Sequence, residues 1–358
     1  MIDRYKRLPS LTAGRGIAAL MVAAFHASLV WPGSLSPIVG FGWLGVTFFF
    51  ILSGFVLTWS LADQRSYSEF MIQRIARIYP VHIVCLSISL GSFLVFLNPL
   101  AGYVGTVRGT VLQLFLLHDF IPGHPEIRQA WNGVSWSLSA EFFFYLFAPF
   151  IIRHLTSLKT YTLLNVGASL YIIHVSIGVV AHTLHADRVG DFMQYHPIAY
   201  LPMFVYGIIG AILMRRGVRI HASIVLTLLL FVPVVAYCFR FGDINPIVMM
   251  ALSIPAFLAF ILDQARRDSE AKSTFLAHSL FEKVGEISFS LYMVHALLLG
   301  VIHHTFKVLK LPYHPTLFTF AFLLMSLLAA YLMYEIVEKP MRRLVLSRFI
   351  SKPKAAAA

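Results

Sequence analysis

RGIAALMVAAFH, residues 15–26, sets ten mostly apolar residues between an arginine and a histidine. The apolar run extends both ways, from Leu11 to Trp31, before a Pro-Gly-Ser stretch breaks it. About 20 apolar residues at a helical rise of ~1.5 Å each match the ~30 Å hydrocarbon core of a bilayer, so a membrane-spanning helix is expected here. The run is long and carries no small-residue cleavage site behind a short core. It reads as a helix that stays, not as a leader that is removed.

The same signature recurs along the chain. Of 358 residues, 58% are hydrophobic and 12% charged, with a mean hydropathy of +0.78. A water-soluble domain carries about 25% charged residues. Ten spans are expected, at roughly 11–31, 41–61, 78–98, 136–154, 160–182, 196–214, 222–239, 245–263, 285–306 and 315–337. The stretch 106–118 is apolar but short, and is expected to lie at the interface or re-enter. No gap holds a separate soluble domain of about 100 residues. The expected fold class is therefore all-α, a polytopic integral membrane bundle over residues 1–350, with 351–358 (SKPKAAAA) as a disordered tail. Cys85 and Cys238 both fall in apolar runs, where cysteine packs as a small hydrophobe.

The net charge of +12 would suggest nucleic-acid binding in a soluble protein. Here the basic residues cluster in short connections, as topology signals do. With the N-terminus inside, 21 of the 28 Lys and Arg residues fall on the inner side and 6 on the other, Arg15 being within a span. That split predicts an N-in, C-in protein with the lipid bilayer, not nucleic acid, as its partner.

Arg15 and His26 are eleven residues apart. At about 100° per residue that is roughly 20° beyond three full turns, so both project from one face, ~16 Å apart along the axis. Ionisable groups at membrane depth are costly unless they face a cavity or a partner. A snorkelling arginine and a histidine bonded to nearby backbone also fit the pair.

Other polar residues interrupt the spans. In the second, WLGVTFFFILSGFVLTWS, Ser53-Gly54 permits close helix approach or contributes a polar wall. Arg74 and Arg77 in FMIQRIARIYPVH share one face of a helix expected to end ahead of Pro80. Positive-inside anchoring explains them as well as an anion site does, since guanidinium forks suit phosphate oxygens. Glu141 enters the apolar run of WNGVSWSLSAEFFFYLFAPF behind Trp131 and Trp136, where a carboxylate can exchange protons or orient an imidazole. His295 lies mid-span in GEISFSLYMVHALLL, and Glu338 closes the last span in YEIVEKPMRR, where Lys339 and Arg342 are at hand as ion-pair partners. HTLHAD at 182–187 matches an H-x4-D pattern but falls on the side expected to face away from the cytoplasm and lacks accompanying motifs. The remaining histidines have no H-x3-H or H-E-x-x-H spacing, so no metal site is expected.

In this order and spacing these elements resemble the acyltransferase-3 family of membrane-integral O-acyltransferases, over nearly the whole chain. The elements are R-x10-H (Arg15, His26), GVTFFFILSGFVL, R-x-x-R (Arg74, Arg77), SWSLSAEFFFYLFAP around Glu141, ISFSLYMVH around His295, and E-K-P with Glu338. The resemblance implies a multi-pass enzyme of the inner (cytoplasmic) membrane. Such an enzyme transfers an acyl group, usually acetyl, from acyl-CoA to a hydroxyl of a cell-surface or exported glycan or a lipid-linked sugar. Ending at its tenth helix, the chain resembles the stand-alone members, without an SGNH-type domain. Read from the residues, His26, Arg15 and Glu141 are the catalytic candidates, His26 as general base or transient acyl carrier and Glu141 orienting or charge-stabilising it. Arg74, Arg77 and Arg15 would receive the acetyl-CoA phosphates, and Ser53, Trp136, Tyr145, His295 and Glu338 the substrate. Acyl-CoA is then a co-substrate, and no metal is required. A proton-coupled transporter or flippase using His26, Glu141 and His295 as a relay is the rival reading, and a membrane scaffold a further one. A relay does not need the arginine pair.

Overall fold

The computed structural model describes residues 8–33, 35–60, 66–96, 106–184, 192–218, 246–272, 274–310 and 314–350. The expected span at 222–239, Cys238, residues 185–187 of HTLHAD and the tail 351–358 lie outside the described residues.

Among the described residues the chain is helical without strands, and nine helices are long and apolar enough to cross a membrane. In chain order the α-helices of eight residues or more are α1 (Pro9–Val30), α2 (Gly45–Ser60), α3 (Tyr67–Phe96), α4 (Val107–Leu114), α5 (Trp136–Ser157), α6 (Thr160–Thr183), α7 (Pro197–Arg215), α8 (Pro246–Ser269), α9 (Ser279–Glu286), α10 (Ser288–Val308), α11 (Pro315–Met333) and α12 (Lys339–Phe349). The chain is a multi-pass helical membrane protein.

Most expected spans agree with the helices to within a few residues. Two differ in ways that matter. The third was expected to start at 78, after a helix ending ahead of Pro80. Instead α3 runs unbroken from Tyr67 through Pro80, so both arginines sit inside it. Proline is tolerated there because neighbouring groups in a membrane bundle re-satisfy the freed backbone carbonyl. The last span continues through a π-turn, Tyr334–Glu338, into α12. The short stretch 106–118 yields α4, whose eight residues reach about 12 Å, too little to span.

Lipid tails are as apolar as leucine, so helices associate here through close packing and internal hydrogen bonds, not through burial from water. Gly54 and Gly207 make the tightest crossing. A Cβ at Gly54 would lie 2.0 Å from Phe204 O, and one at Gly207 1.8 Å from Ile51 O, so α2 and α7 touch backbone to backbone. Gly285 brings α9 against α1 in the same way, 1.9 Å from Thr12 O. The free amides at the start of α1 are met by a distant carboxylate: Ser10 N and Oγ donate to Asp268 at 3.0 and 2.6 Å. A negative charge suits a helix N-terminus.

These contacts also sort the helix ends. Asp268 ties the end of α8 to the start of α1, and Arg215 Nη1 donates to Thr58 O at 2.9 Å, joining the ends of α7 and α2. At the opposite end of α1, Gly33 meets Pro315 at the start of α11. The end of α7 and the start of α8 lie at opposite ends of the bundle.

Gly207→Ala is expected to wedge α2 from α7 and destabilise the fold by about 1–3 kcal/mol. Gly91→Ala, whose Cβ meets nothing within 4 Å, serves as the control. Thermal unfolding in detergent, followed by tryptophan fluorescence, should show a lower midpoint for the first variant only. Equal midpoints would contradict the crossing.

Candidate functional site

Two cavities lie on one side of α1, one beyond the other along its axis. The first, of about 280 Å³, is reached by Arg15 from α1, Arg74 and Arg77 from α3, Glu141 from α5 and Arg342 from α12. Arg342 is exposed and marks an open end. α1 presents Arg15 there because Gly16 and Gly285 let α9 close on it. The guanidinium then donates to Gly285 O (3.1 Å) and Ser288 Oγ (3.1 and 3.3 Å). Arg74 lies over the rings of Phe70 and Tyr145 at 5.6 and 5.7 Å, and Arg77 over Phe289 at 6.0 Å. Arg74 Nε is buried without a hydrogen-bond partner.

Four guanidiniums therefore face one carboxylate. That carboxylate accepts from Ser53 Oγ at 3.4 Å and from Tyr145 OH. Among the described residues none of the four arginines forms an ion pair within 4.0 Å. Four cations against one carboxylate leave an excess of positive charge, the arrangement that takes up an anion, and planar forks match phosphate oxygens in pairs.

The second cavity, of about 700 Å³, is bounded by His26 from α1, Trp43, Trp136, Tyr195, Tyr200 and His303 among others. Its lining among the described residues includes no Asp, Glu, Lys or Arg. Trp136 packs between Tyr200 (5.2 Å) and Tyr195 (5.8 Å), giving an aromatic wall with polar edges.

His26 is held by a second histidine. His295 Nε2 lies 3.0 Å from His26 Nδ1, and His295 Nδ1 lies 3.2 Å from Leu291 O. A carbonyl only accepts, so Nδ1 of His295 carries the hydrogen. In the neutral ring its Nε2 is then the acceptor, and His26 Nδ1 must be the donor. The lone pair of the cavity-lining imidazole is thereby left on His26 Nε2. A ring whose far nitrogen is anchored in this way has a fixed tautomer and direction.

Val46 and Tyr292 line both cavities and mark where they meet. Arg15 and His26 thus share a helix face, as their spacing required, but open into different chambers. Ser53 and Tyr145 stand with Glu141 in the arginine cavity, and Trp136 stands with His26. Glu141, expected to orient His26, is bonded to Ser53 and Tyr145 instead, and the partner of His26 is His295. His295, expected on the cavity wall, is fully buried behind His26. Glu338 is 3% exposed, outside both linings, and accepts from Ser290 Oγ at 2.7 Å. Lys339 turns to Glu335 at 2.8 Å.

Arg342, Ser288, Val46 and Tyr292 were not singled out as site residues in the sequence. Arg342 reaches the cavity because the π-turn lies just ahead of α12, a rotation that no helical periodicity foretells. Ser288 and Ser290 had a signal in ISFSLYMVH, two serines seven and five residues ahead of a histidine.

An acyltransferase-domain family profile matches residues 8–335. Acyltransferase MdmB of Streptomyces mycarofaciens is 30% identical, covering 96% of this chain and 94% of that protein. Putative acetyltransferase ORF330 of Acidianus two-tailed virus is 29% identical over 82% of this chain and 85% of its own. O-acetyltransferase OatA of Staphylococcus aureus is 24% identical over 97% of this chain, which spans 59% of that longer protein. No solved structure matches the chain. With that profile spanning the helices that carry Arg15, His26, Glu141 and His295, the chain belongs to the acyltransferase-3 family of acyltransferases.

Proposed function

We propose that the protein transfers an acyl group, in the first place acetyl, from acyl-CoA to a hydroxyl of a cell-envelope or exported glycan or its lipid-linked precursor. The arginine end of the bundle faces the cytoplasm of the inner membrane with both termini inside, in keeping with the 21-to-6 division of basic residues. The observation that carries this reading is the adjoining of two unlike chambers: one with four unpaired guanidiniums, the other with an anchored imidazole.

The chemistry follows from the residues. Arg74, Arg77, Arg15 and Arg342 receive the phosphates of the donor, and the thin pantetheine arm points up the arginine cavity. The acceptor hydroxyl lies in the second cavity beside His26. His26 Nε2 takes the hydroxyl proton as the oxygen attacks the thioester carbonyl. The carbon–oxygen bond forms, the carbon–sulfur bond breaks, and the departing thiolate takes the proton back from His26. While His26 is cationic, its Nδ1–H still points at the lone pair of His295 Nε2, which steadies the charge. An orienting partner of this kind is the logic of a base held by a third group, here an imidazole in place of a carboxylate. Glu141 tempers the positive charge of the donor chamber and ties Ser53 to Tyr145. The aromatic, uncharged wall around Trp136 suits the apolar faces and hydroxyls of a sugar.

The test uses purified protein in nanodiscs with acetyl-CoA, read by calorimetry and by mass spectrometry of an added glycan acceptor. His26→Ala should keep acetyl-CoA affinity and lose transfer by about 100-fold or more. Arg74→Ala should weaken acetyl-CoA binding by about tenfold, as expected for loss of one charge-assisted contact worth ~1.4 kcal/mol or more. Transfer by His26→Ala at the wild-type rate, or no binding of acetyl-CoA by the wild type, would overturn the proposal.

Glu141→Gln removes the counter-charge from the arginine cavity. Acetyl-CoA should bind that variant more tightly, and the gain should fade as salt is raised. Weaker binding at low salt would show that the carboxylate supports the donor site in another way.

A further inference from the structure

The junction between the cavities is built from few atoms, and both of its sides are fixed. Val46 sits in the first turn of α2 and is 8% exposed. It cannot retreat, because Gly45 beside it is pressed on α1: a Cβ there would lie 2.9 Å from both Ala18 O and Val22 Cγ2. Opposite stands Tyr292 of α10. Its hydroxyl donates to Val134 O at 3.1 Å and accepts from Ser137 Oγ at 2.8 Å. Its ring meets Phe49 edge-on at 6.0 Å and lies 5.8 Å from His295, the ring that holds His26. Ser137 and Phe49 belong to the arginine cavity and Val134 to the histidine cavity, so the phenol is braced from both chambers.

Resting on the proposed function, we infer that Val46 and Tyr292 form the gauge that sets the length of the acyl group transferred. The phosphates of the donor are held on one side of the junction and the base acts on the other. The thioester carbonyl must therefore come to rest at this junction, and the alkyl tail beyond it must fit against the Val46 isopropyl group and the braced phenol. A rigid aperture discriminates by volume where a flexible one would adapt. One methylene in a fitted apolar site changes transition-state binding by about tenfold or more. A short chain passes; each added carbon meets Val46.

The gauge is tested by the ratio of kcat/KM for butyryl-CoA to that for acetyl-CoA, measured on protein shown to be folded by its melting midpoint. Val46→Ala should raise the ratio by about tenfold or more. Val46→Ile, which adds one carbon and keeps the branched shape, should lower it. Tyr292→Phe, which frees the ring from its two hydroxyl contacts, should raise the ratio less than Val46→Ala does. Leu29→Ala, at the exposed rim of the larger cavity, should leave the ratio as it is. Acetyl transfer from CoA with the same ratio in the Val46→Ala and Val46→Ile variants would overturn the gauge and leave the proposed function standing. Absence of any acyl-CoA-dependent transfer by the wild type would overturn both.

Discussion

Everything in the site hangs on the seating of α1. One rigid helix carries Arg15 and His26, and its pitch alone puts them on one face, so whatever fixes α1 fixes both groups together. Backbone contact at Gly16 and Gly285 sets its distance from α9, and Asp268 caps its first turn. Arg15 completes the seating by bonding to Gly285 O and Ser288 Oγ. Because α9 leads directly into α10, the same contacts place His295 behind His26. A shift of α1 by one turn would move the guanidinium out of its cavity and break the histidine pair at once.

Polar groups inside a bilayer are expensive, and their arrangement here shows which costs are met within the protein. Asp268, Glu338 and His295 are buried and hydrogen-bonded within the protein. The four guanidiniums differ. Arg74 and Arg77 are laid against aromatic rings and Arg15 against a hydroxyl, and the one carboxylate in their cavity leaves an excess of positive charge available to a ligand. On the proposed reading the fold holds a donor in place with charge and an acceptor with aromatic surface. The chemistry is confined to the narrow region where the two chambers touch.

Much of this was legible in the sequence, because a bilayer imposes length and hydropathy on each span. The face shared by Arg15 and His26 follows from helical pitch. Three features were hidden for physical reasons. The start of α3 was lost because Glu69, Gln73, Arg74 and Arg77 dilute its hydropathy and Pro80 imitates a helix boundary. The partner of His26 was misassigned because Glu141 and His295 are both ionisable groups within apolar runs, and sequence holds no distance between helices. Val46 is a valine among apolar residues, and its position on a cavity junction belongs to the packing alone.

The most direct measurement of the account is a cryo-EM structure of the His26→Ala protein in nanodiscs with acetyl-CoA bound. The diphosphate should lie against Arg74 and Arg77, with the acetyl carbonyl between Val46 and Tyr292. Nucleotide density outside the arginine cavity, or an acetyl group remote from that junction, would contradict it.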